Sequence, residues 1–189
     1  VVVHSTISVE QAADFAEMGA RHDIAVLDAP VSGGAMGARQ GELAIMVGGD
    51  RDAFERALPV LQTFGGMIKR MGDAGAGTRT KIARNLITFA SYAAVGESMR
   101  LAEASGLDIR KLAQVVLHSD ALSGGAGAIM VRSTAGPMEA DDPLRPYFEH
   151  AAALGLKDIA FAIEMGEELG VDVSIARLTE QKLPPALGL

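Results

Sequence analysis

The chain has 189 residues, a formal charge of −7 and 49% apolar residues, with 4% aromatics, no tryptophan and no cysteine. That length holds one substantial core or two small ones, built here from Ala, Leu, Ile, Val and Met. The acidic balance, without a basic cluster, disfavours nucleic acid and anionic membrane as partners. The missing cysteine removes disulfides, thiolate catalysis and Cys-ligated metals together, and no apolar run approaches the roughly 18 residues of a membrane span. A reducing cytoplasm is the compartment expected.

In chain order, the opening "VVVHST", with no initiator Met and no signal peptide, reads as the end of a strand and so as a fragment whose N-terminal part is missing. Ser8 is a good N-cap with Gln11 at the third helical position, the spacing of a capping box, and Ala12, Phe15, Ala16 and Gly19 repeat at helical spacing. Ile24 to Leu27 and Leu43 to Val47 read as short apolar strands. Asp50 caps a helix expected from Arg51 to about Phe64, and "MIKRMG" is a last strand. Alternating strand and helix is the pattern of an α/β sheet covered by helices.

The character changes near Gly72, where "GDAGAG" punctuates the chain and no strand is expected afterwards. Thr78 to Ser105 is one long helical pattern, with Ile82, Leu86, Phe89, Ala93 and Gly96 as its expected buried stripe and Gly106 ending it. Asp108 caps a helix through His118. Two more helices are expected, over Gly125 to Ser133 and Phe148 to Leu169, flanking the polar, Pro-broken connection "PMEADDPLRPYF". The expected organisation is part of a sheet domain over 1–71 and an all-helical domain over 72–189.

Four features could carry chemistry. Ser32-Gly33-Gly34 follows "LDAPV", beyond the carboxyl end of a strand, where open α/β sheets bind ligands. Glycines allow φ > 0 and close backbone approach, so their N–H groups and the Ser32 hydroxyl could hold a small carboxylate; a plain tight turn is the alternative. Lys81 and Asn85 stand four apart on one helix face. A partly desolvated lysine there would give up its proton more easily, because burial disfavours the ammonium, and could exchange that proton with a hydroxyl, while Asn85 orients the same oxygen; an ordinary solvated helix face is the alternative. Thr6 follows the first strand, where it could also simply serve helix entry beside Ser8. Lys157-Asp158 could equally be a surface ion pair. His4, His22, His118 and His150 show no metal-ligand spacing, and Ser32 has no His and acid partners arranged as a hydrolase triad.

Together these segments resemble the β-hydroxyacid dehydrogenase family, the group of 3-hydroxyisobutyrate dehydrogenase and tartronate semialdehyde reductase. "HSTIS", "LDAPVSGGAMGARQGELAIMVGG", "GDAGAGTRTKIARN" and "GLKDIAFAIEMGEELG" follow the family's order and spacing across essentially the whole chain. The resemblance implies the C-terminal portion of an NAD(P)-binding Rossmann domain over 1–71. Residues 72–189 would form an all-α domain of the 6-phosphogluconate dehydrogenase C-terminal type. It implies hydride transfer between a short 3-hydroxy acid and NAD or NADP. Ser32, Gly33 and Gly34 fall on substrate-carboxylate positions, Lys81 on the catalytic lysine, Asn85 on a substrate-binding position, and Thr6 and Lys157 on dinucleotide-contacting positions. A homodimer or homotetramer through the helical domain is also implied.

Four places separate the chain from the family's common pattern or from one of its branches. The Gly-rich GxGxxG phosphate loop is absent, and with it the residue that selects NAD or NADP, so the chain as it stands is expected to bind dinucleotide poorly. Arg84 stands where many members have Asn or a small residue. Thr88 occupies the place of the acid of the 6-phosphogluconate branch, which argues against oxidative decarboxylation. Lys81 is present where imine reductases usually replace it, which favours an alcohol–carbonyl reaction. The competing expectation is a dehydrogenase-derived module kept for self-association or partner binding through Lys81–Leu101.

Overall fold

The structure is a computed structural model that describes residues 1–132 and 134–189. It divides into two compact units, Val1–Ile87 and Thr88–Leu189. Among the described residues no helix is long and apolar enough to cross a membrane.

The first unit is a mixed sheet with helices. Strands β1 (Val2–Val3) and β2 (Leu27–Asp28) pair in parallel, and helix α1 (Val9–Ala20) connects them. The capping box expected at Ser8 and Gln11 is present in both directions. Regular pairing of β2 starts only at Leu27, because β1 offers it just two residues; the expected strand from Ile24 is therefore shorter. Strand β3 (Val31–Ser32) continues the path of β2, and both pair antiparallel with β4 (Ala44–Gly48) in one unbroken register, Asp28 opposite Gly48 and Ser32 opposite Ala44. Pro30 separates the two pieces: it has no N–H to give the ladder, although its carbonyl still accepts from Met46 at 3.1 Å. Strand β5 (Met67–Gly72) runs parallel to β4.

Two helices complete this unit before the long one. Helix α2 (Gly34–Gln40) was not expected, since "GAMGARQ" carries two glycines, each unfavourable by about 1 kcal/mol in a helix interior. Helix α3 (Arg51–Leu61) has the Asp50 cap, with Oδ1 accepting from Ala53 at 2.8 Å, and ends three residues earlier than expected. Leu27, Ala29, Ile45 and Val47 of the strands pack with Ala53 and Leu61 of α3 as the core.

Helix α4 (Ala76–Ala104) begins against this sheet. Its expected ending at Gly106 holds: Gly106 has φ +80°, its N–H bonds Glu103, and the N–H of Leu107 reaches back to Ala102. The expected buried stripe is corrected, because Ile82, Leu86 and Phe89 are 46%, 71% and 62% exposed. The buried residues of α4 are Ala76, Gly77 and Thr78 near its start and Glu97, Leu101 and Ala102 near its end, while Leu86, Phe89 and Tyr92 of the middle turns are exposed.

The second unit contains α5 (Ile109–Ser123), α6 (Arg145–Leu169) and α7 (Ser174–Ala186), with no strand among its described residues. Asp108 caps α5 as expected, accepting from Arg110 at 2.8 Å, and α5 continues past His118. The segment Gly125–Val131 is 3₁₀ rather than α, and the end expected for it, Ser133, lies outside the described residues. Helix α7 was not legible, since Pro184 and Pro185 lie inside its last turn.

The N-cap residue of α7, Val173, has no side-chain acceptor; Asp172 accepts from the N–H of Ser174 at 3.0 Å, and a buried carboxylate from α4 takes the next two. Glu97, 5% exposed, accepts from the N–H of Ile175 at 2.8 Å and of Ala176 at 2.7 Å. Around it Leu101, Val173 and Ala176 form a small core with Ile159 and Ile163. Glu97→Ala leaves one buried donor (Ala176) and one part-buried donor (Ile175) without acceptors and is expected to cost about 1–3 kcal/mol, the penalty of one orphaned buried group. Urea unfolding followed by helical circular dichroism checks this; an unchanged midpoint contradicts it.

Candidate active site

The site grows out of the path from β2 to β3. Asp28 sits in an otherwise apolar run and is 4% exposed. Its Oδ1 accepts from the N–H of Gly75 at 2.8 Å and its Oδ2 from that of Thr78 at 2.7 Å, so the strand carboxylate caps the start of α4. A helix N-terminus carries orphan donors and partial positive charge, which a carboxylate satisfies on both counts. The backbones meet closely here: a Cβ on Gly77 would lie against Met46 O and 2.5 Å from Asp28 O.

One turn further along α4, the half-buried Lys81 reaches back to β3. Its Nζ donates to Val31 O at 2.6 Å and to Ser32 Oγ at 2.8 Å. Burial is the first cause that lowers the Lys81 pKa from the ordinary lysine value, and the nearby charge of Arg84 is the second. The folded chain therefore disfavours the Lys81 ammonium. That contribution weakens stability at neutral pH and is relieved as pH rises through the window between the lowered pKa and that of free lysine. With ¹³C-dimethylated lysines, the Lys81 resonance is expected to titrate below the ordinary lysine value in the folded protein and to return to it on unfolding. A Lys81 midpoint that unfolding leaves unchanged would contradict the assignment of burial as the cause.

Beyond Ser32 the chain turns through Gly33 at φ +125° and Gly34 at φ +60°, conformations that glycine adopts without a Cβ penalty. Both glycines are exposed, and their N–H groups find no acceptor among the described residues. Asn85 follows Lys81 by one turn, half-buried, with only a long 3.5 Å contact from Arg84. Thr6 lies exposed just past β1. Lys157 is on α6 in the second unit, 56% exposed and 3.3 Å from Asp158, the ion pair weighed against a binding role in the sequence. His4 is engaged by its own fold, its Nδ1 2.8 Å from Ala29 O and its ring edge-on to Phe64. Among the described residues no group of His, Asp or Glu is arranged to hold a metal.

Thus the structure joins Ser32 and Lys81, which lie 49 residues apart in sequence. The sequence reading missed Asp28 as a working residue, although a lone acid inside "VLDAPV" was the available signal.

The layout is a partial Rossmann-like sheet followed by a large helical region. Residues 1–72 match the NAD-binding domain of 6-phosphogluconate dehydrogenase, and residues 75–186 the NAD-binding domain of NADP-dependent 3-hydroxyisobutyrate dehydrogenase. The chain belongs to the β-hydroxyacid dehydrogenase family of NAD(P)-binding oxidoreductases. It is 50% identical over all its 189 residues to an uncharacterized oxidoreductase of Mycobacterium tuberculosis, spanning 64% of that protein. Over 66% of this chain and 41% of its own length, the 3-hydroxyisobutyrate dehydrogenase of Pseudomonas aeruginosa is 42% identical. A crystal structure from Mycobacterium avium, provisionally called an oxidoreductase, superimposes with a TM-score of 0.95 at 48% identity, covering 99% of this chain and 68% of that one. The chain thus spans less than two thirds of the length of these curated relatives.

Proposed function

We propose that this chain forms part of an NAD(P)-dependent dehydrogenase interconverting a short 3-hydroxy acid and its semialdehyde, with Lys81 as general acid/base. The observation that carries the reading is the Lys81–Ser32 contact at 2.8 Å, beside two glycines whose N–H groups find no acceptor among the described residues. Ser32, Gly33 and Gly34 hold the substrate carboxylate. The substrate hydroxyl replaces Ser32 as the acceptor of a Lys81 hydrogen bond, and Asn85 orients that oxygen. Neutral Lys81 takes the hydroxyl proton as the carbon is oxidised, and returns it to the carbonyl oxygen in the reverse direction.

The residues present fit the reacting end of a dinucleotide rather than its phosphates: no GxGxxG occurs in the 189 residues. The Thr6 hydroxyl, engaged by no partner among the described residues, lies just past β1, and Ser32 is the last residue of β3. Thr6 and Lys157 are the residues proposed to hold NAD or NADP, which when bound supplies the hydride acceptor. The change from sheet domain to helical domain is placed at about residue 72.

A panel of 2-hydroxy and 3-hydroxy acids with NAD and NADP tests the reading on the protein that carries this chain. Turnover is expected for short 3-hydroxy acids, read as reduced-nicotinamide absorbance. Turnover confined to 2-hydroxy acids or to imines contradicts it. A second reading, self-association through α4, is favoured by the exposed Leu86, Phe89 and Tyr92 of its middle turns. It is compatible with catalysis and is expected as a dimer or tetramer in sedimentation; a monomer at micromolar concentration contradicts it.

A further inference from the structure

We propose that Asp28 is the positioning residue of this site: its buried carboxylate pins the first turn of α4 to the sheet and so sets Lys81 Nζ against Val31 and Ser32. The proposal rests on the reading of Lys81 as the acid/base. Three observations carry it.

The start of α4 lacks a side-chain cap of its own, because the residue before it is Gly75. Asp28 supplies that cap from the strand, with one oxygen on Gly75 and the other on Thr78. The Thr78 hydroxyl is fully buried and finds no partner among the described residues, so Thr78 is held through its N–H.

The carboxylate has a single place to be. A Cβ on Gly48 would collide with its Oδ1 and lie 2.7 Å from Gly77 N and 2.8 Å from Ala76 N. A glutamate at position 28 would have to fit its extra methylene into that contact. An asparagine fits, but accepts through one atom only and must turn its NH₂ toward one of the two donors.

The two anchors form a frame. Thr78 and Lys81 are three residues apart, on one helix face and about 4.5 Å along the axis. Asp28 and Val31 are three apart along the strand path, so the tie at Thr78 fixes where the Lys81 side chain starts and its length spans the rest to β3. Release of the first tie lets the opening turn of α4 fray, and Lys81 loses its register against Ser32. Asp28 touches neither substrate nor dinucleotide in this arrangement; it acts through Lys81.

Asp28→Asn is expected to lower kcat ~10–100-fold, the effect of a displacement of about 1 Å at a reacting group, with KM for the dinucleotide unchanged. In the same variant the ¹³C-dimethyl resonance of Lys81 is expected to titrate higher, toward the ordinary lysine value, as the ammonium regains water; Arg84, its charged neighbour on α4, is untouched. A lower melting temperature with unchanged kcat and unchanged Lys81 titration would make Asp28 purely structural and overturn the proposal. If Asp28→Asn does not fold, the unaltered protein answers the same question in sub-denaturing urea. The Lys81 titration is expected to revert at the urea concentration where the Gly75 and Thr78 amides begin to exchange. Exchange of those amides with Lys81 still titrating low would overturn it. Turnover retained in Lys81→Ala would strike the acid/base reading alone, leaving the titration result in force.

Discussion

In the protein that carries this chain, replacement of Lys81 by alanine is expected to lower turnover of a 3-hydroxy acid by ~10²–10⁴-fold, the usual contribution of a positioned acid/base. The fold should survive. Lys81 is only half-buried, and the two acceptors it leaves, Val31 O and Ser32 Oγ, lie on partly accessible residues that water can reach. Dinucleotide binding should survive as well, because Thr6 and Lys157 are unaltered. Lys81→Arg separates proton transfer from electrostatics: it keeps a cation and donors near Ser32, yet a guanidinium never releases its proton at working pH. The arginine variant is therefore expected to be about as inactive as alanine. Steady-state rates together with dinucleotide titration check both variants. An arginine variant near the parental rate would mean that Lys81 supplies charge and not proton exchange.

Gly77→Ala is expected to unfold the sheet unit or to destabilise it by more than about 3 kcal/mol, at the upper end of overpacking effects. The new methyl would press on three backbone atoms from two strands: Met46 O, Asp28 O at 2.5 Å and Gly48 N at 2.9 Å. Backbone cannot rotate aside as a flexible side chain would. Alanine improves helix propensity by only about 1 kcal/mol over glycine, so the steric term decides the sign. The same displacement pushes α4 from the sheet and lengthens the Asp28 hydrogen bonds. Urea unfolding reads the result, and a midpoint equal to or above the parent would contradict the close crossing at Gly48 and Gly77.

Local patterns were the legible part. Ser8 with Gln11, Asp50, Asp108 and Gly106 each announced a helix boundary through its own chemistry, and the structure holds all four. Signals that depend on neighbours distant in sequence were not legible. Pro30 divides a continuous strand path, which shows only in the register with β4. Helix α2 defies its glycines, and α7 carries two prolines while depending on a cap 78 residues away on Glu97. The apolar stripe of α4 has helical period but lies outward, since periodicity tells that a face exists and not what covers it. At the site, spacing alone paired Lys81 with Asn85. Only the tertiary contact pairs Lys81 with Ser32, and only burial distinguishes Asp28 from any other acid.

The central claim is that Ser32–Gly34 and Lys81 together grip one short hydroxy acid. It is tested most directly by a crystal structure with 3-hydroxyisobutyrate bound. The carboxylate is predicted on the Ser32 hydroxyl and the Gly33 and Gly34 N–H groups, with the substrate hydroxyl within about 3.2 Å of Lys81 Nζ. A carboxylate paired with Lys81 and the hydroxyl turned away from it, or a molecule bound clear of both, would contradict the claim.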